Sequence, residues 1–190
     1  MTGGADAGTS AAWPEVGTLD WTPALERPEL LAPPVAEALR GWQHAGRVAV
    51  CGIDPDLADT AEFAATYHVP LEASANCVVV AGRRGGDERV AACVVLATTR
   101  ADVNGVVRKL LDVRKASFLA MDAAVERSGM EYGGITPIGL PADWPVLVDA
   151  AVLAAGAAVV GSGLRRSKVA LPGTLLAELP RARVVEGLAR

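Results

Sequence analysis

The stretch that decides the fold runs from Met130 to Pro141 and reads MEYGGITPIGLP. Its three glycines and two prolines exclude both a continuous helix and a central strand, so we interpret it as a shaped loop. Gly133 and Gly134 permit positive φ angles and a close approach of the backbone, whereas Pro137 fixes its own φ. Loop chemistry alone leaves two interpretations open. The loop is either an ordinary structural turn or a set of bare N–H groups that bind an acceptor-rich ligand.

An apolar strand, Val146 to Val148, follows the loop and ends in Asp149. A carboxylate at the end of a buried strand is costly unless it has a task or hydrogen-bond partners. Asp149 is therefore the carboxylate that we select first as a catalytic candidate, with hydrogen bonds to a loop or to a substrate amine. The alternative is that it caps the next helical turn.

The order Gly133-x-x-x-Pro137 within GGITPIG, followed by the strand that ends in Asp149, resembles the YbaK/ProX family. That family comprises aminoacyl-tRNA deacylases and related editing domains of prolyl-tRNA synthetases. The segments RKASF at 114–118 and MDAAVE at 121–126 resemble the family's strand and helix that lead into the loop. VVGSG at 159–163 resembles its late strand, and the likeness spans residues 33–190 in element order.

The resemblance implies an α+β fold with a mixed, strongly curved β-sheet flanked by helices. The residue pattern agrees, because hairpins outnumber βαβ crossovers. The residue pattern predicts helices over 33–46, 60–67, 102–111, 122–128, 150–155 and 172–179. It predicts strands over 47–53, 76–81, 89–97, 117–119, 146–148, 157–161, 168–171 and 184–185. Residues 1–32, rich in Gly, Ala, Pro and Thr, are expected to form an N-terminal extension that is disordered at its start, ahead of a domain over 33–190.

The resemblance also implies a substrate-binding pocket around the loop. Its expected residues are Gly133, Gly134, Ile135, Thr136, Pro137 and Gly139, with Ser162 and Gly163 closing the pocket. A strand end is the alternative interpretation of Ser162 and Gly163, because GSG lacks the remaining residues of a phosphate-binding motif.

The chain departs from the family pattern at the strand that begins ANCVVV. The family usually has a catalytic lysine there, and Asn76 occupies that place, or Ala75 if the register shifts by one residue. The only lysines are Lys109, Lys115 and Lys168, none of which is on this strand. Asn76 can donate a hydrogen bond but carries no charge. Cys77 could be a substitute nucleophile, although packed core is the more ordinary role of a cysteine on a valine-rich strand.

Composition limits the remaining possibilities. The net charge of −4 argues against broad nucleic-acid binding, although local arginine clusters could contact a short RNA end. Three cysteines in apolar runs indicate reduced thiols, and we expect a soluble, cytoplasmic chain without a signal peptide or a membrane span. His44 and His68 lie in no metal-binding motif, and the resemblance implies neither a metal nor an organic cofactor.

The function implied by the resemblance is hydrolysis of the ester between a wrong amino acid and the tRNA 3′ end. The expected partners are the aminoacyl-tRNA 3′ end and a synthetase. Because Asn76 replaces the lysine, a non-enzymatic binding module for aminoacyl-adenosine or a synthetase is the alternative. Hydrolysis of another small ester is a third possibility.

Overall fold

The computed structural model describes residues 13–190; the expectation of disorder at the start of the chain falls on residues 1–12, outside this range. The strands in chain order are β1 Thr22–Pro23, β2 Ala49–Gly52, β3 Ala75–Arg84, β4 Asp87–Leu96, β5 Ala116–Phe118, β6 Val146–Asp149, β7 Ala157–Gly161, β8 Ser167–Pro172 and β9 Ala182–Val185. The α-helices are α1 Pro33–Arg40, α2 Thr60–Tyr67, α3 Arg108–Leu110, α4 Met121–Ser128 and α5 Ala150–Ala154. A π-helical turn, Val103–Val107, precedes α3, and a 3₁₀ helix, Gly173–Glu178, precedes β9.

The strands form two sheets, in the orders β1-β2-β8-β7 and β5-β3-β4-β6-β9. The first sheet is antiparallel, whereas the second is mixed, because β6 pairs in parallel with both β4 and β9. A single parallel bridge between Ser74 and Val159 joins the start of β3 to β7. The predicted α+β class with mixed pairing is confirmed, with the strands divided between two sheets.

The β3–β4 hairpin is the longest ladder of the fold and extends from Ala75↔Leu96 to Arg84↔Asp87. Its turn consists of Gly85 and Gly86, with φ angles of 60° and 98°. Two consecutive positive φ angles define a tight hairpin turn whose twist matches that of the strands, and glycine adopts them without strain. The strands are therefore longer than the sequence pattern predicts.

Three predicted helices differ from the structure, one of which, 102–111, begins with the π-helical turn Val103–Val107 ahead of α3. The other two are the first helix and the segment 172–179. The first ends at Arg40, with Gly41 as its C-cap, rather than at Gly46. The segment 172–179 forms a 3₁₀ helix instead of an α-helix. The first of these rested on apolar spacing and the second on Pro172 as a helix start. Neither signal fixes where a helix ends or which hydrogen-bond pattern a short segment adopts.

The largest core cluster packs α1 between the two sheets and includes Leu39, Ile138, Val148 and Leu171. Residues assigned to the N-terminal extension contribute to it. Ala24, Leu31 and Ala32 are buried in this cluster, and β1 pairs with β2. The predicted division at residue 33 therefore does not coincide with a break in the core. None of the helices within residues 13–190 has the length and apolarity that a bilayer crossing requires.

Candidate functional site

A cavity of about 380 Å³ lies where the start of β3, the glycine loop and the ends of β7 and β8 meet. One wall comes from the start of β3 and from the first turn of α2 with the residues before it, namely Ala58, Asp59, Thr60, Phe63, Ser74, Ala75, Asn76, Cys77 and Val78. The opposite wall comprises Tyr132, Gly133, Ile135, Val159, Val160, Gly161 and Lys168. The cavity thus brings together Asn76 and the glycine loop, which the resemblance placed in one pocket.

The two adjacent glycines of the loop have different roles. Gly133 has a φ of 77° and lines the cavity, where an added Cβ would lie 2.4 Å from the Arg165 Nη1 atom. Gly134 faces the protein, and a Cβ there would lie 2.6 Å from the backbone of Leu164. The Gly163 N–H donates to the Gly134 carbonyl oxygen at 2.8 Å. Gly134 therefore docks the loop, whereas Gly133 forms the cavity surface.

The remaining loop residues divide between two sides. Ile135 lines the cavity, while Thr136 is fully buried and its hydroxyl has no hydrogen-bond partner within residues 13–190. Pro137 and Gly139 instead line a second cavity of about 550 Å³, together with Trp42. The pocket predicted from the sequence therefore includes residues that face away from the cavity beside Asn76.

Ser162 and Gly163 support the loop from behind and do not line the cavity. The Ser162 Oγ and Ser167 Oγ atoms lie 2.7 Å apart, and the Leu164 N–H donates to Ser162 Oγ at 3.2 Å. Gly163 has a φ of 85°, and an added Cβ would lie 2.4 Å from the Cβ of Ala32. These contacts shape the turn that receives Gly134.

Asn76 is half-buried in the cavity wall, with its Oδ1 atom 2.8 Å from the Thr60 hydroxyl that donates to it. The side-chain amide nitrogen is then the group through which Asn76 can donate to a ligand. Thr60 opens α2, so the bond also joins α2 to β3 across the cavity. Asp59, which precedes α2, makes no side-chain cap bond.

Asp149 does not line the cavity, which corrects the expectation of a catalytic carboxylate. Its Oδ1 accepts from the Ala151 N–H and its Oδ2 from the Ala189 N–H, both at 2.8 Å. The side chain is 6 % exposed, and both oxygens are satisfied by backbone donors. Asp149 caps α5 and fixes the C-terminal segment, which was the alternative interpretation.

Lys168 is the cavity residue that the sequence pattern missed. It lies on β8 and is 9 % exposed; its Nζ donates to the Ala58 carbonyl oxygen at 3.0 Å. Burial lowers the pKa of Lys168, and the charge of Arg165 adds to this effect. No local motif marks it, because its position depends on the pairing of β8 with β2 and β7.

The mouth of the cavity carries a second cation. The Arg165 guanidinium lies 5.7 Å from the centroid of the Tyr132 ring, and its Nη2 is 3.7 Å from an Asp59 carboxylate oxygen. Its Nη1 is buried and lacks a hydrogen-bond partner among the residues that the structure describes. Tyr132 is 55 % exposed, so the mouth presents an aromatic face beside a guanidinium.

Cys77 lines the cavity, but its chemistry does not favour a nucleophile. Burial raises the pKa of the Cys77 thiol well above its ordinary value, and Cys93 adds to the shift. A cysteine attacks as the thiolate, which is disfavoured in this environment. Within residues 13–190, no three His, Cys, Asp or Glu side chains are grouped so that they could hold a metal ion.

Solved structures with this fold are distant in sequence. A protein described as a candidate trans-editing enzyme for prolyl-tRNA synthetase superposes with a TM-score of 0.69 at 20 % identity, covering 82 % of this chain and 94 % of that one. A scaffold designed to present linear epitopes gives 0.69 at 20 % identity, with coverages of 82 % and 95 %. A hypothetical protein gives 0.65 at 20 % identity, with coverages of 74 % and 90 %. At these identities the likeness shows the fold alone.

The sequence itself is informative at the family level. No curated protein matches it significantly. The family model of the aminoacyl-tRNA editing domain, however, matches residues 54–179, which is more than half of the chain and contains both walls of the cavity. The chain therefore belongs to the aminoacyl-tRNA editing domain family.

Proposed function

We propose that this protein is an aminoacyl-tRNA deacylase, which hydrolyses the ester between a wrong amino acid and the tRNA 3′ end. The observation that carries the proposal is the cavity between Gly133 and Asn76, within the part of the chain that matches the editing-domain family. The cavity is open to solvent at Tyr132, where a tRNA end can enter. Charged tRNA is a cytoplasmic substrate, so we place the activity there, with a synthetase as a further partner.

The reaction needs few protein groups. A water oxygen attacks the ester carbonyl carbon, the carbonyl oxygen gains negative charge, and the bond to the ribose oxygen breaks. The products are the free amino acid and tRNA with a free terminal hydroxyl. The neighbouring ribose hydroxyl assists in moving the proton to the leaving oxygen. The protein positions the ester and the water, and it supplies hydrogen-bond donors that are already in place. Such donors stabilise the transition state most where negative charge develops on the carbonyl oxygen.

The amino acid is selected by the size of the cavity. Its walls on the side of Phe63, Val78 and Val159 are apolar, and its volume of about 380 Å³ is shared with the ribose end of the substrate. Apolar walls discriminate by about 1–3 kcal/mol per methylene, so we expect small amino acids to be hydrolysed faster than large ones.

Contact with the tRNA body is supported by a groove between β3 and the segment that leads into β5. Arg83, Arg114 and Lys115 line this groove beside Gly82, and Glu88 is its one acidic residue. Gly82 is six residues from Asn76 on β3, which corresponds to about 20 Å along an extended strand. The groove is therefore within reach of phosphates of a tRNA whose 3′ end occupies the cavity.

One observation favours a second candidate function, a binding module without hydrolytic activity. Asn76 has no charge, and its Oδ1 is engaged by Thr60, so β3 presents only an amide donor to the ligand. Such a module would hold aminoacyl-adenosine, or a synthetase that carries it, without cleaving the ester.

The test is incubation of the full chain with a panel of tRNAs charged with cognate or non-cognate amino acids, while loss of the ester is followed over time. We expect faster loss than in buffer for at least one mischarged tRNA that carries a small amino acid. Saturable binding of a non-hydrolysable aminoacyl-adenosine amide without ester loss would favour the binding module. Neither hydrolysis nor binding would reject both functions.

A further inference from the structure

We propose that Lys168 supplies the positive charge of the active cavity and donates to the ester carbonyl oxygen as negative charge develops on it. This inference rests on the proposed function and assigns a residue to it. It differs from the pattern that the family resemblance implies, because Lys168 enters from β8 and Asn76 from β3, on opposite walls of the cavity.

The sheet register points the Lys168 side chain towards the glycine loop. Lys168 pairs with Gly161 on β7 and with Cys51 on β2. Side chains of directly opposite residues lie on the same face of a sheet. A Cβ on Gly161 would lie 2.2 Å from the Gly134 carbonyl oxygen, so the glycine loop covers this face.

The ammonium group of Lys168 donates only one hydrogen bond to the described part of the protein. Its Nζ donates to the Ala58 carbonyl oxygen at 3.0 Å and lies 5.2 Å from the centroid of the Phe63 ring. An ammonium has three N–H donors, so the Ala58 carbonyl leaves two of them for a ligand. Within residues 13–190, no carboxylate oxygen lies within 4.0 Å of it.

A buried ammonium without an anionic partner costs free energy, and proteins keep such groups where they have a task. Lys168 is also the only Lys or Arg among the described residues that line the cavity. The lowered pKa of its amine has burial as its main cause. An oxyanion that forms beside Nζ would replace the missing partner, and donors held in place by a fold stabilise such charge without reorganising.

The first test compares Lys168→Met with Lys109→Met, an exposed lysine in α3 that is remote from the cavity walls. Single-turnover deacylation of the mischarged tRNA that the wild type hydrolyses best is measured at saturating enzyme. Removing one oxyanion donor typically costs about 10²–10³ in rate, so we expect such a fall in Lys168→Met and less than a twofold change in Lys109→Met. Unfolding curves of both variants establish that the folded fraction is unchanged.

A second readout separates a charge donor from a packing role. Asn76→Lys added to Lys168→Met returns an ammonium to the same cavity, and we expect at least tenfold recovery of rate. The ratio of wild-type to Lys168→Arg rates is also expected to fall as pH rises. Burial and then Arg165 lower the pKa of the Lys168 amine, while Cys51 and Asp59 oppose the shift, and arginine keeps its charge throughout. A flat ratio combined with no recovery would assign Lys168 to packing and overturn the proposal.

A third arm does not depend on turnover. The probe is an adenosine 3′-ester of 1-aminoethylphosphonate, whose anionic tetrahedral group mimics the reacting ester. We expect Lys168→Met to bind it at least tenfold more weakly and the corresponding neutral amide with less than threefold change. If the wild type hydrolyses tRNA but Lys168→Met matches it in rate and in phosphonate binding, only the Lys168 inference fails. If the wild type neither hydrolyses any ester nor binds either probe, both the Lys168 inference and the proposed function fail.

Discussion

Cys77 shows how the burial of one residue decides between two chemical roles. Cys77 lines the cavity next to Asn76, where a nucleophile could reach the ester. Burial nevertheless raises the pKa of its thiol and keeps the thiol protonated. We expect Cys77→Ser to deacylate tRNA within about twofold of the wild-type rate, because serine fills nearly the same space and Cys77 does not attack the ester. If Cys77 were the nucleophile, the far weaker serine hydroxyl would lower the rate. The measurement is single-turnover ester hydrolysis. A loss of 100-fold or more, with a trapped thioester in the wild type, would show that Cys77 is the nucleophile.

Single residues were predicted to different degrees. The position of Asn76 beside the glycine loop can be predicted, because the loop and the valine-rich strand are both recognisable in the sequence, whereas its part in catalysis stays a prediction. Lys168 was not, because its direction is set by pairing with strands that begin at Ala49 and Ala157. Asp149 was assigned to catalysis on the cost of its burial, and backbone donors from Ala151 and Ala189 meet that cost instead.

The glycine loop is the element that joins the two sheets at the site. We expect Gly134→Ala to lower the free energy of unfolding by about 1–3 kcal/mol, because its Cβ would overlap the rigid backbone of Leu164. Gly133→Ala should also lower the free energy of unfolding, because alanine is strained at a φ of 77°. It should lower the rate of deacylation more than Gly134→Ala does, since Gly133 lines the cavity. Thermal unfolding and deacylation rates of both variants check this.

Gly46→Ala is the matched control for the loop variants, because nothing lies within 4 Å of a Cβ at Gly46. It should leave both stability and activity unchanged. If Gly134→Ala unfolds at the wild-type temperature and loses only activity, then Gly134 contacts the ligand rather than Leu164.

At the scale of elements, the order of helices and strands followed from the sequence, whereas the faces of the loop did not. Pro137 and Gly139 are in the recognisable motif but line the second cavity. A loop has no fixed period, so sequence spacing does not tell which residues share a side. Only the docking of Gly134 against Leu164 sets that division.

The whole molecule should lose stability at alkaline pH. Burial raises the pKa of Cys51 and Cys93 to about 12 and that of Cys77 further. Above about pH 9 the unfolded chain releases thiol protons that the folded chain retains, so stability falls as pH rises. The lowered pKa of Lys168 has the opposite effect and raises stability as pH rises, but it is a single group, whereas three thiols lower stability.

Urea unfolding in the presence of a reductant, at pH 8, 9 and 10, measures this effect. Replacing the three cysteines by alanine should lower stability at pH 8 but reduce its decline between pH 8 and pH 10. An equally steep decline in that variant would show that other groups cause it.

The central claim is that ester hydrolysis takes place in the cavity between the glycine loop, β3 and β8. The most direct measurement fills each cavity in turn and follows deacylation of the same mischarged tRNA. Val78→Phe occupies the cavity beside Asn76, and Ala38→Phe occupies the larger cavity behind the loop. We predict a loss of at least 100-fold for Val78→Phe and a change of less than threefold for Ala38→Phe, with both variants folded. Full activity in Val78→Phe, or a selective loss in Ala38→Phe, would contradict the account.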